Sequence, residues 1–156
     1  MLRVTAEGWL PPKYTVLDDG LPIAQFVWDD RTLMIHRKEY RVVESGFWRK
    51  TYSFIGEEIS AVAKDTKYLL GTDIEIIHTS HSYILKRKSW FSSDLEIHEG
   101  DIILGTIRSK GVIRSGAEAD LTINIPIEIR VFMVWLAIEF WKRHNHAIAN
   151  GGAASD

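Results

Sequence analysis

The chain contains no cysteine. That excludes disulfides, thiolate metal sites and a cysteine nucleophile, and it suits a reducing compartment. An excess of charge of one sign is missing too: the net charge is -2, so nothing global points to nucleic acid or an anionic membrane, and only a local basic patch could serve either. The first residues hold no apolar run of signal-peptide length. No uninterrupted apolar run approaches the ~20 residues that cross a hydrocarbon core. Absent as well are a G-x-S-x-G elbow, a phosphate-cradling glycine loop and a dinucleotide fingerprint. No catalytic residue and no cofactor is therefore expected.

What is there reads as a globular domain. The composition, 46% apolar and 26% charged, excludes wholesale disorder. A single domain over 1–149 is expected, with a disordered tail at 150–156 where Gly, Ala and Ser dominate. Six tryptophans call for a roomy core or an interface.

Short apolar runs with turn signals fill most of the chain. Residues 1–12 read as a lead-in stopped by Pro11-Pro12. After them, 14–17 and 23–28 are strands around Asp18-Asp19-Gly20, a hairpin signal because such turns need positive φ. Further strands are expected at 32–36, 40–44, 49–55, 59–64, 73–78, 82–88, 95–98, 102–108, 112–114 and 119–125. The one long apolar segment follows at 127–144, with Pro126 at its first position, where a missing N–H costs nothing. Eight consecutive apolar residues, 131–138, leave that helix no polar side, so it belongs inside something. Phe132, Trp135, Leu136 and Ile138 are its expected core residues. Glu139 among them needs a hydrogen bond, a counter-ion or a proton.

Ten to twelve antiparallel strands in one small domain must curl or close to bury their inner face. A helix of ~18 residues is about 27 Å long, close to the span of a seven- or eight-residue strand. The reading is a mainly β fold: a barrel of about twelve antiparallel strands enclosing one hydrophobic helix.

The rhythm of hairpins with acidic-Gly turns, the late Gly105-Thr106-Ile107-Arg108, and Ile125-Pro126 followed by Phe132 and Trp135-Leu136-Ala137 resemble the tubby carboxyl-terminal-like superfamily. That group includes the LURP-one-related proteins and the phospholipid scramblases. The resemblance implies a twelve-stranded barrel around a terminal helix. It also implies a non-enzymatic module that binds a lipid headgroup, a membrane surface or a protein, in the cytoplasm or peripheral to a membrane. Scramblases carry a palmitoylated cysteine stretch and a proline-rich arm that this chain lacks, and the motif around the paired basic residues of the tubby phosphoinositide site is not found in it, so the fold is carried over and the family's binding residues are not. The rival readings are a lipocalin-type carrier, with its helix outside, and a hydrolase or isomerase using the chain's scattered carboxylates and histidines.

The densest basic run is Lys86-Arg87-Lys88. In a strand, Lys86 and Lys88 share one face and Arg87 takes the other. With Trp90 beside them, and with Arg108, Lys110 and Arg114 around the 109–111 turn, they form a candidate site for an anionic phospholipid headgroup. Lysines of this kind also simply guard strand edges. The expected partner is such a lipid or a protein, and not a nucleic acid. His78 and His81 would converge only across a tight turn, and no ligand spacing supports a metal site.

Overall fold

The structure of the protein is a computed structural model. It describes residues 1–8, 12–27, 30–47, 49–66, 73–89, 91–110 and 116–155, with backbone only over 144–155. The strands are β1 (Leu2–Glu7), β2 (Lys13–Asp18), β3 (Leu21–Val27), β4 (Thr32–Ile35), β5 (Lys38–Ser45) and β6 (Thr51–Ile55). They continue as β7 (Ser60–Asp65), β8 (Ile74–His78), β9 (His81–Arg87), β10 (Leu95–Glu99), β11 (Ile102–Ser109) and β12 (Ala117–Leu121), before α1 (Ile127–Ser155). Each strand pairs antiparallel with the next, and β1 pairs with β12, closing the barrel. Among the described strands no sheet edge is left for other chains to pair with.

Period-two alternation builds the wall. On β6, Tyr52 and Phe54 point inward, and across the ladder they face Ala63 and Ala61 of β7. Each ring therefore has a small neighbour to lie over. Phe54 stacks at 4.6 Å on Phe132 of α1, and Tyr52 meets Trp135 edge-on at 5.7 Å. From Val131 to Trp141 every helix side chain is buried. The stretch from Ile129 to Trp141 rises about 20 Å, the length of a six-residue strand, so the helix fills the barrel along its axis. An open interior of the lipocalin type has no room here.

Three expectations about boundaries give way. Residues 2–7 are a strand and not a lead-in: Leu2 and Val4 face the core while Arg3 faces out, and β1 closes the barrel before Pro11-Pro12 interrupts. The last strand starts at Ala117 and stops at Leu121, because 122–125 forms a turn in which Ile125 N–H donates to the Thr122 carbonyl at 3.3 Å. The helical backbone runs on to Ser155, past the expected end at 144, carried by the good helix formers Ala147, Ala149, Ala153 and Ala154. The strand expected at 112–114 lies outside the described residues.

An up-and-down barrel sends alternate connections to opposite ends, and here the ends differ. At one end, four of the five hairpins turn in two residues, at 19–20, 36–37, 79–80 and 100–101, and the fifth uses 56–59. At the other end lie 8–12, 28–31, 46–50, 66–73, 88–94 and 110–116, of four to eight residues each. The helix enters at the hairpin end and leaves at the loop end. There Trp141 Nε1–H donates to the Ser93 carbonyl at 2.7 Å, and Arg143 reaches Asp65 at 3.4 Å.

Candidate functional site

The basic residues singled out in the sequence come from two hairpins, β9–β10 and β11–β12, which are neighbours because β10 pairs with β11. Tyr83 and Leu85 face the core, so Lys86 faces out, where it stands opposite Glu96 of β10. Lys88 is exposed just past the strand, and its N–H donates to the Asp94 carbonyl at 2.9 Å. Arg87 goes inward, its guanidinium 5.5 Å from the Phe140 ring of α1. Arg108 is exposed on β11 opposite Glu118, and the Lys110 ammonium sits 2.5 Å from the Glu118 carboxylate. Arg3 of β1 approaches the same carboxylate at 3.8 Å. The Lys110 hydrogen bond holds the Glu118 carboxyl below its usual range, with Arg3 and Arg108 acting in the same sense.

The outer wall from β9 to β1 is therefore charged, with Lys86, Lys88, Arg108 and Lys110 on one side of the barrel. Glu96 and Glu118 are set among them as acidic partners. Trp90 and Arg114, expected in the same site, lie outside the described residues.

A second polar group lies at the loop end of the interior, and of its members only Glu139 was singled out by the sequence. Arg31 Nη2 meets Glu44 Oε2 at 2.6 Å, and Lys50 binds the other oxygen of Glu44. Burial pushes the Glu44 carboxyl up, but Lys50 and Arg31 outweigh it and the net shift is downward. The Arg31 guanidinium lies 5.5 Å from the Trp135 ring, and that of Arg143 lies 5.9 Å from the Tyr52 ring. Glu139 stands in this group, 6% exposed. Burial pushes its carboxyl up, more than Arg31 and Arg143 pull it down, and its Oε2 has no hydrogen-bond partner among the described residues. The Tyr52 hydroxyl is likewise buried and unpartnered, and burial pushes its pKa up. Arg31 and Lys50 are matched by Glu44, and Arg143 by Asp65, so the group is suited to holding the helix end in the mouth more than to attracting an anion.

Two phenylalanines stand out from the loop end: Phe47 in the 46–50 connection, 86% exposed, and Phe91 in the 88–94 connection, 80% exposed. At the opposite end, His78 and His81 do pair across the 79–80 turn. Their rings go to different partners, His78 Nδ1–H to the Ser60 carbonyl at 3.0 Å and His81 Nδ1–H to Glu99 at 2.7 Å. Among the described residues no three histidines or carboxylates gather where a metal ion could sit. None of the described helices is long and apolar enough to cross a membrane.

Comparison of the chain with models of known families, with curated proteins and with solved structures finds no match. Any function for the site has to be read from its geometry.

Proposed function

We propose that the protein is a non-enzymatic binding module of tubby-like architecture, which attaches to phosphate-bearing lipid headgroups from the cytoplasm. The observation that carries this reading is the outer wall. Lys86, Lys88, Arg108 and Lys110 come from two separate hairpins, yet they share one side of the barrel. With the helix filling the interior, a ligand has to be met outside. Each lysine or arginine near an anionic surface contributes about 1 kcal/mol, so four together supply about 4 kcal/mol, attachment on the millimolar scale from charge alone and strongest at low salt.

Vesicle flotation tests the reading. The protein should float with phosphatidylserine or phosphoinositide vesicles at low salt, stay behind with phosphatidylcholine, and detach as salt rises. Replacing Lys88→Gln together with Arg108→Gln should abolish flotation with little change in thermal stability, since both side chains are exposed and neither change sets a new carboxylate opposite Glu118. Flotation that is equal with neutral and anionic lipid, or none with either, would rule the reading out.

A further inference from the structure

Resting on that reading, we infer that the protein meets the bilayer end-on, with the loop end inward, and that Phe47 and Phe91 insert between headgroups. Two independent features of the surface coincide at this end. The first is apolar: both rings are almost fully exposed, each on a long connection, where a phenylalanine pays to stay in water. The second is charge. Lys13, Arg49, Lys64, Lys88 and Lys110 are exposed in or beside these connections, against Glu7 and Asp30 as the exposed acidic residues described there. A ring flanked by cations suits an anionic interface, where the ring sits below the phosphates and the ammonium groups sit among them.

The hairpin end offers the natural rival, since Leu21, Ile102 and Ile123 are also exposed there. Its turns, however, carry Asp19, Glu57, Glu58 and Asp101 against Arg37 and Lys38, all exposed, so the acidic residues are in excess there as the basic ones are at the loop end. Bringing these carboxylates to an anionic surface is repulsive, so charge decides between two ends that apolar exposure alone would not separate. The acidic end then faces away from the membrane, and the field of the bilayer turns the whole barrel.

The absence of native cysteine makes the test direct. Single variants Phe47→Cys, Phe91→Cys, Glu57→Cys and Asp101→Cys each take one environment-sensitive fluorophore. They are mixed with phosphatidylserine/phosphatidylcholine vesicles under conditions where flotation shows binding. Labels at 47 and 91 should shift to the blue and become shielded from an aqueous quencher, while labels at 57 and 101 should not change. The unlabelled double variant Phe47→Ala with Phe91→Ala should bind at least about tenfold more weakly, and Leu21→Ala with Ile123→Ala should bind like the parent.

Binding with no shift at 47 and 91, or with shifts at 57 and 101, overturns the end-on orientation and leaves headgroup binding standing. No flotation of the parent with either vesicle removes headgroup binding itself. It would leave a protein as the occupant of this face and overturn the inference with it.

Discussion

At the hairpin end of the barrel the chain reverses in two residues at four of its turns, and the geometry is held by the backbone. Asp19, His36, Arg37 and Thr79 all adopt positive φ there. At the loop end the reversals take four to eight residues, and side chains hold the structure: Arg31 with Glu44, Lys50 with Glu44, Arg143 with Asp65, and Trp141 on the Ser93 carbonyl. The contrast separates two tasks within one barrel. Tight turns set strand register at one end. They leave the other end free for long connections, which is where exposed aromatic and cationic residues collect and where function is usually placed on a rigid scaffold.

The contrast depends first on the helix threading from one end to the other. Trp135 lies under Arg31 and against Tyr52, 1% exposed. Trp135→Ala should lower unfolding free energy by about 3–5 kcal/mol in urea titrations. A loss below about 1 kcal/mol would put the helix on the outside and dissolve the distinction between the ends.

Glu139 sharpens the contrast, because at the loop end its buried Oε2 has no hydrogen-bond partner among the described residues. Its folded-state pKa is raised by burial, so the native protein holds its proton to higher pH than the unfolded chain does. Stability credited to this group is present below the ordinary carboxylate range and is lost as pH rises toward the raised value. Glu139→Gln should therefore raise the urea midpoint at pH 7, and the difference from the parent should shrink as pH falls toward 4. A midpoint lowered at pH 7 would mean that the carboxylate is ionised and well paired with Arg31 or Arg143.

Much of the barrel was legible in the sequence. Asp19-Gly20 announces its turn, the strands alternate with period two, and 131–138 is too apolar for any surface. The limits are physical. β1 was missed because the two prolines at 11 and 12 were weighed above the alternation of Leu2, Arg3 and Val4. Of the candidate site, the outward facing of Lys86 and Lys88 follows from alternation, but the adjacency of two hairpins is a property of closure. Of the group of Arg31, Glu44, Asp65 and Glu139, only Glu139 carried a signal, as a carboxylate in an apolar helix; the others stand far apart along the chain and each is unremarkable alone. Phe47 falls between the expected strands 40–44 and 49–55, but nothing in the sequence shows that its ring stands out from the surface.

The turn at 36–37 is the place where backbone control at the hairpin end comes at a cost. His36 and Arg37 hold φ of 49° and 65°, a conformation that glycine or asparagine usually supplies and that strains a Cβ-bearing residue. The sequence accordingly places a reversal only loosely between the strands expected at 32–36 and 40–44, and nothing in it marks 36–37 as the turn. It is fixed by the ladder on both sides, with Ile35 paired to Lys38 and His36 N–H donating to the Ile23 carbonyl at 2.8 Å. Arg37→Gly should relieve the second of the two strained positions. Against that, glycine adds freedom to the unfolded chain. The relief should win by a small margin, a gain of about 0.5 kcal/mol read as a higher urea midpoint with unchanged slope. The equivalent change in a loop-end connection, Arg49→Gly, removes no positive-φ strain and should lower the midpoint or leave it unchanged. Equal responses at the two positions would mean that the backbone is no more constrained at the hairpin end than at the loop end.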